Sequence, residues 1–450
     1  MSHPDRAGSL QKAHGDLENS AGYRRILSLF DEGSFNEVDA YAKSGDGFAE
    51  AVAGSGTVDG CPACAFCQNP DVARGAMSKA QASKIKKIYQ LALKAGVPLV
   101  GIYDSAGGRL DEGADMLAAY GEVLLAANSL SGVVPQISVV LGPCVGTGAV
   151  VAAGADVVVM SPKGELTIST EGGDGSPAAA EKLGVCQFAA SDEKEALRTA
   201  KKLVSMLPSN NVSGAPLFNA VPAKTRTAAG ASAREIIASV CDAGEFLELG
   251  AKFGAGAVTG LARVGGTVTG ISFLTGVIDA DSCSKAARFV RFCDSFSLPV
   301  VTFVDAERFA TLREASKLSS AYSEATTAKI TAVTGSAWGP VYIAAAGRGA
   351  NADYTFAWPD AVVSAVAPET GAVFLWNDRL KGSSNPVEDR RKLIEEYRAT
   401  RAGALQAAAD GSIEDVVRPE DTRKKILSCL DMLSGKRVST LPKKHADIQL

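Results

Sequence analysis

The chain has 450 residues, 46% of them apolar and 21% charged, with a net charge of −4. That is the balance of a soluble globular protein long enough for two or three domains, and it carries no basic footprint for nucleic acid. The most apolar stretch, 133–160, is interrupted by Pro135, Pro143, Gly142, Gly146, Gly148 and Gly154, which cut it into strand, turn and helix rather than a bilayer span.

In chain order, residues 1–20 are polar and read as a loose tail. A helix is predicted over Tyr23–Phe30, a turn at Asp31–Ser34 and strands at Phe35–Asp39, Ala51–Val58 and Pro62–Cys67, with Asp59-Gly60 as a hairpin signal. Ser78–Ala95 has helical periodicity and stops at Gly96. A buried strand at Leu99–Tyr103, a helix at Leu117–Asn128, a strand at Gln136–Leu141, a helix from Gly146 to Ala153 and a strand at Val157–Met160 follow. Residues 181–210 are mostly helical, and Ser213-Gly214-Ala215-Pro216 reads as a linker. The second half repeats the order, with strands at Ala257–Leu261 and Thr267–Phe273, a helix at Cys283–Phe296, a strand at Val300–Val304, a helix at Arg313–Ala328 and a strand at Ile330–Thr334.

That repetition extends to individual residues. Lys84, Pro98 and Asp104 recur as Lys285, Pro299 and Asp305 at a constant offset of 201. Gly142-Pro143-Cys144-Val145-Gly146 has its counterpart in Gly335-Ser336-Ala337-Trp338-Gly339, and Asp156–Pro162 in Asp353–Pro359. A unit of about 200 residues is far longer than a solenoid repeat, so the chain reads as two α/β domains related by internal duplication, with a boundary between about 212 and 235.

The nine cysteines are odd in number and no signal-peptide pattern opens the sequence, which favours a reducing, cytoplasmic setting over a disulfide framework. Cys61, Cys64 and Cys67 are spaced like metal ligands but lack a fourth partner and fall in a predicted strand, so they read as small buried side chains and no metal is expected. His3, His14 and His445 all fall in predicted tails, leaving no histidine in the body of the chain for a triad, a dyad or a zinc site. No Gly-x-Gly-x-x-Gly or Walker pattern occurs in strand-turn-helix context, which counts against a nucleotide-binding protein. Chemistry must then rest on backbone groups, carboxylates, lysines or a nucleophile brought by the substrate.

Two stretches could carry it. Gly142-Pro143-Cys144-Val145-Gly146-Thr147-Gly148 joins an apolar strand to a small-residue helix, where free N–H groups can face a developing negative charge; the plain alternative is a tight strand-helix turn. Asp104-Ser105-Ala106-Gly107-Gly108-Arg109 follows another buried strand and combines close backbone approach with a cation suited to phosphate or carboxylate; the alternative is a turn with a solvated Arg109.

These stretches, together with Asp31-Glu32-Gly33-Ser34-Phe35, Val134-Pro135-Gln136-Ile137-Ser138, Leu207-Pro208-Ser209-Asn210-Asn211, Lys285-Ala286-Ala287-Arg288-Phe289-Val290-Arg291-Phe292-Cys293-Asp294, Tyr322-Ser323-Glu324-Ala325-Thr326, Phe356-Ala357-Trp358-Pro359 and Lys443-Lys444-His445, resemble the carboxyltransferase (beta) subunits of biotin-dependent acyl-CoA carboxylases and decarboxylases, over nearly the whole chain. The resemblance implies two tandem crotonase-like (ClpP/crotonase) domains: an acyl-CoA side over 21–212 and a biotin side over 232–450. By position it implies that the Gly146 and Thr147 amides hold a thioester enolate and that the Gly339-Pro340-Val341 junction holds the biotin ureido oxygen. Ala106, Gly107, Gly108, Arg109, Gly142, Pro143 and Cys144 are then expected to line the first site, and Pro340, Tyr342 and Ile343 the second.

The implied partners are a short acyl-CoA such as acetyl-CoA or propionyl-CoA, biotin on a separate carrier protein, and a biotin carboxylase or a membrane decarboxylase subunit. The implied assembly is a homo-oligomer, a dimer or hexamer, with each active site shared between subunits. The sequence departs from the family where Thr147 and Pro340 stand in place of Gly. Pro340 has no N–H, so the second junction is expected to lose a donor. The segment after Asp305-Ala306-Glu307-Arg308-Phe309 and the region near Gly184-Val185-Cys186 are shortened. Three activities stay open: carboxylation, the same transfer run as a decarboxylase component, and a re-purposed structural partner.

Overall fold

The structure is a computed structural model that describes residues 6–445 and 447 apart from 46, 170 and 172; His3 lies outside the described residues. Its alternating strands and helices form two compact units, residues 1–216 and 217–450.

The first unit contains α1 (Arg6–Leu17), α2 (Ala21–Leu29), β1 (Asn36–Glu37), β2 (Ala51–Val58), β3 (Cys61–Gln68), α3 (Lys79–Ala95), β4 (Leu99–Tyr103), α4 (Asp115–Ser129), β5 (Gln136–Val140), β6 (Pro143–Val145), α5 (Thr147–Ala153), β7 (Val157–Met160), β8 (Glu165–Thr167), β9 (Phe188–Ala189) and α6 (Glu193–Met206). Its main sheet runs β1-β2-β3-β4-β5-β7-β9. The first two pairings are antiparallel and the rest parallel. β4, β5 and β7 are buried at every position, which explains why they read as unbroken apolar runs: helices cover both faces of a parallel sheet. Ser78 caps α3 by accepting the Gln81 N–H at 3.0 Å, and Gly96 ends it in the left-handed region.

The second unit contains α7 (Ala233–Val240), β10 (Phe246–Leu249), β11 (Ala257–Val264), β12 (Thr267–Ile278), α8 (Ala280–Ser295), β13 (Val300–Phe309), α9 (Leu312–Glu324), β14 (Lys329–Trp338), β15 (Tyr354–Ala357), β16 (Val362–Ser364), α10 (Pro368–Trp376), α11 (Pro386–Arg401), β17 (Asp415–Val416) and α12 (Thr422–Leu433). The sheet order β10-β11-β12-β13-β14-β15-β17 repeats that of the first unit strand for strand, with the same parallel and antiparallel pairings. Detailed bonds repeat as well. Asp156 exchanges hydrogen bonds with Gln136 through its backbone N–H at 2.9 Å and its carboxylate at 2.8 Å, and Asp353 does the same with Lys329 at 2.9 and 2.7 Å.

Two expectations change. Residues 6–17 are not a loose tail but helix α1. His14 therefore belongs to the body of the first unit: its Nε2 lies 3.0 Å from Glu37 and 2.9 Å from the Tyr23 hydroxyl, and its ring packs near Tyr41 and Phe48. His14 ties the helix to the unit through its ring and a polar cluster. Glu37 also receives Lys84 at 2.8 Å, with Lys84 buried. The polar stretch 181–210 is not one helical run; a short helix over Pro177–Lys182 and strand β9 precede α6. Cys61 and Cys64, read from the sequence as packing residues, are three residues apart on β3, so they point to opposite faces and cannot converge on an ion.

One carboxylate per unit ties the first hairpin of the sheet. Asp31 accepts the Asp59 and Gly60 N–H groups and the Thr57 hydroxyl. Asp242 accepts Gly265 and Gly266 at 2.8 and 2.7 Å and Arg423 at 2.7 Å. Burial alone would raise the Asp242 pKa, but Arg423 and the backbone donors outweigh it and hold the carboxyl below its ordinary value. A depressed folded-state pKa stabilises above the unfolded value of about 3.9 and the gain is lost as pH falls through the folded value. Asp242→Asn should cost about 3–5 kcal/mol near neutral pH, since it strands Arg423. Urea unfolding should show that penalty shrinking at about pH 3.5; a pH-independent penalty would contradict this account.

Candidate active site

Each unit builds the same junction at the C-terminal edge of its parallel strands, the usual ligand edge of such sheets. In the first unit, β5 runs through Leu141 and Gly142 into β6, Gly146 turns the chain and α5 begins at Thr147. β8 pairs with β6 in register from Pro143↔Glu165 to Val145↔Thr167. In the second unit the end of β14 pairs with β16 from Ser336↔Val362 to Trp338↔Ser364, and Gly339 makes the turn into a helical segment that widens to a π turn over Tyr342–Ala346. Gly146 has φ 64° and ψ −132°, and Gly339 has φ 51°, backbone that side chains rarely adopt.

Directly beneath each turn a carboxylate packs against a glycine. A Cβ on Gly142 would lie 2.2 Å from Asp104 Oδ1, and one on Gly335 would lie 2.1 Å from Asp305 Oδ1. Asp104 is held by Arg25 from α2 at 2.7 Å, and Arg25 also grips Glu193. Asp305 instead accepts the Ser336 N–H at 2.8 Å. The Asp104–Arg109 loop lies against the first junction: the Ser105 N–H donates to the Pro143 carbonyl at 2.7 Å.

The donors differ from those expected. The Gly146 N–H donates to Thr167 O at 2.8 Å and the Gly339 N–H to Ser364 O at 3.0 Å, each extending its short parallel ladder by one residue. The open amides include Thr147 and Gly148 in the first turn of α5, and Val341 after Pro340; no intrahelical carbonyl is available there, and among the described residues they make no hydrogen bond. Pro340 occupies a first-turn position that tolerates proline, so the second junction keeps its shape while losing one N–H.

Other expected site residues find specific places. Arg109 is paired with Glu50 at 3.0 Å and forks onto Asp111, so its charge is already neutralised rather than offered to a phosphate. The Cys144 thiol is buried in the core and pushed up to about 12 by desolvation, so it packs and does not react. The Tyr342 hydroxyl donates to the Ser412 carbonyl, while Ile343 is exposed beside the second turn. Ala106 donates to Arg74 O at 3.1 Å, and Gly107 donates to Ser105 Oγ at 3.2 Å. β13 runs on to Phe309 and only Ala310 and Thr311 separate it from α9. Sequence reasoning missed Arg25, whose partners are 79 and 168 residues away, and Tyr120, the aromatic residue of α4.

Two crotonase-like halves with glycine-turned amide junctions define a carboxyltransferase fold. A family profile described as the carboxyl transferase domain matches residues 20–448, and the chain belongs to that family. It is 34% identical to the methylmalonyl-CoA carboxyltransferase 12S subunit of Propionibacterium freudenreichii subsp. shermanii, covering 97% of this chain and 93% of the relative. It is 34% identical to the propionyl-CoA carboxylase beta chain of Saccharopolyspora erythraea, covering 100% and 93%, and 32% identical to the methylmalonyl-CoA decarboxylase subunit alpha of Propionigenium modestum, covering 98% and 95%. These alignments span 489, 514 and 496 positions against a chain of 450, so each relative carries segments this chain lacks. A solved hexameric transcarboxylase 12S core with methylmalonyl-CoA and methylmalonic acid bound superposes with a TM-score of 0.93 at 31% identity, covering 100% of this chain and 99% of that one.

The packing of Gly142 on Asp104 yields a direct test. Gly142→Ala should destabilise the first unit, because the added methyl has no room beside the carboxylate. Asp104→Ala should remove the obstruction, so the double variant should be more stable than the two single penalties predict. Thermal unfolding of all four proteins measures that coupling, and strict additivity would refute it.

Proposed function

We propose that this chain is a biotin-dependent carboxyltransferase subunit that moves a carboxyl group between carboxybiotin, carried on a separate protein, and a short acyl-CoA. The observation that carries the reading is the junction built twice, with unpaired amides at a helix start and a neighbouring carboxylate fixing the turn. An unpaired amide pair at Thr147 and Gly148 is suited to an oxygen that gains charge, the situation of a thioester becoming an enolate. Val341 offers one such amide in the second unit, where the ureido oxygen of biotin would be held. Carboxybiotin supplies the carboxyl group when bound; the chain supplies amides that orient and stabilise, with no side-chain base needed at either turn. Acyl-CoA carboxylation and decarboxylation use the same transfer, so the partner, a biotin carboxylase or a membrane decarboxylase subunit, sets the direction.

The same reading makes the protein a homo-oligomer, a dimer or a hexamer, with the first unit of one chain facing the second unit of another. Large apolar side chains are exposed at matched places near both junctions: Leu110 and Leu312, both 92% exposed, and Val150 and Ile343. Such residues suit a self-complementary contact. The nine free thiols fit a cytoplasmic setting. Light scattering should give a mass of at least twice 46.3 kDa at micromolar protein; a stable monomer would remove the shared site.

The amides can be tested one at a time. Thr147→Pro deletes one N–H at a position where, as at Pro340, proline fits the first helical turn. It should leave thermal stability nearly unchanged and lower carboxyl transfer to propionyl-CoA by roughly 10²–10³-fold. Pro340→Gly adds a donor and should raise transfer to or from free biotin, at most by the same factor. If neither protein transfers carboxyl to any short acyl-CoA, the re-purposed structural partner becomes the better reading, since Pro340 is the residue that motivates it.

A further inference from the structure

Behind the first junction lies a cavity with about 10 Å³ of room for the centre of a water-sized sphere, enough for one water molecule or one methyl group. Phe66, Met77, Ile85, Tyr103, Val123 and Val151 are its buried walls, the Tyr103 hydroxyl being engaged with Tyr89 and Ser138, and the half-exposed Tyr120 and Gly148 lie on the side toward the junction. Gln68 also lines it, but its side chain is committed to Gln81 at 3.1 Å and to the Asp104 N–H at 3.3 Å. A water needs two to four polar partners, so this space suits a hydrocarbon.

Tyr120 stands at its mouth. A Cβ on Gly108 would lie 3.4 Å from Tyr120 Cε2 and one on Gly148 would lie 3.8 Å from Cε1. The hydroxyl edge of the ring is therefore framed by the two glycine loops of the site. Met77 is tied to the same loop, donating to Gly107 O at 2.7 Å and accepting from the Arg109 N–H at 2.8 Å. An acyl carbonyl held on the Thr147 and Gly148 amides would have its α-carbon next to this opening.

Resting on the acyl-CoA role of the first junction, we propose that this cavity receives the acyl chain and that the Tyr120 ring, with Met77, limits it to a single carbon beyond the α-carbon. The protein then takes acetyl and propionyl groups and discriminates against butyryl and longer chains. One methylene too many in a closed apolar pocket is worth roughly 10–200-fold. Tyr120 is a specificity residue here: its ring sets length, and its hydroxyl stays at the mouth.

Calorimetric titration of the full-length protein with acetyl-, propionyl-, butyryl- and hexanoyl-CoA tests this. The wild type should bind propionyl-CoA at least ten-fold tighter than butyryl-CoA. Tyr120→Ala should narrow or invert that ratio by a factor of ten or more, while Tyr120→Phe keeps it. Val123→Phe, which fills the cavity from behind, should weaken propionyl-CoA relative to acetyl-CoA, and it carries the test if Tyr120→Ala does not fold. A flat wild-type profile, or an unchanged profile in a folded Tyr120→Ala or Val123→Phe, overturns the inference and leaves the carboxyltransferase reading standing. If the wild type binds none of the four thioesters, the acyl-CoA reading itself fails.

Discussion

The site depends on one contact made twice: a carboxylate pressed against a glycine Cα at the end of a buried parallel strand. Asp104 under Gly142 and Asp305 under Gly335 leave no room for a side chain, and that closeness sets where the chain crosses from one strand to the next. From that point Gly146 or Gly339 must turn with positive φ, the short ladder with Thr167 or Ser364 takes up the first amide, and the next available amides, Thr147 in one unit and Val341 beyond Pro340 in the other, are left unpaired. A carboxylate in such a place needs compensation. Asp104 has Arg25; among the described residues Asp305 has the Ser336 N–H alone and stands more open to water.

Much of this was legible in the sequence because buried strands repeat without drift. The offset of 201 that links Pro98 and Asp104 to Pro299 and Asp305 is the same offset that separates the first residues of α3 and α8, Lys79 and Ala280. Strand limits at Ala51–Val58, Leu99–Tyr103 and Val157–Met160 followed from apolar runs bounded by turn residues. What could not be read was decided by distant chain. Whether the Gly146 amide is free depends on β8, whose partner carbonyl lies 21 residues on at Thr167. Arg109 looked available until Glu50 and Asp111 closed on it. His14 looked like tail because residues 1–20 are largely polar, and its anchor is a polar cluster formed by Tyr23, Glu37 and Lys84.

The two units have kept the frame and changed the fittings. Glu37 and Glu248 occupy the same place opposite a glycine of the next strand, Gly54 and Gly260, yet only Glu37 meets the lysine of the following helix. Glu248 is taken by Arg234, and Lys285 turns to the Phe253 carbonyl at 2.9 Å. Burial, without a carboxylate against the amine, lowers the Lys285 pKa to about 8. Pro340 belongs to the same pattern: the helix start is retained and its chemistry altered. Such divergence suits the proposal that the two junctions hold different ligands.

Tandem domains of one topology also pose a hazard during synthesis, because strands of one unit could pair into the sheet of the other and trap a swapped chain. The cores here are dissimilar enough to oppose it. The first is built around Phe66 set edge-on to Tyr103 and tilted against Tyr89, the second around the stacked pair Phe273 and Phe303. A strand entering the wrong sheet would bring its aromatic ring to a place shaped for another geometry, and close-packed interiors tolerate that poorly. The first unit, emerging from the ribosome complete with its own core, can close before its twin is made.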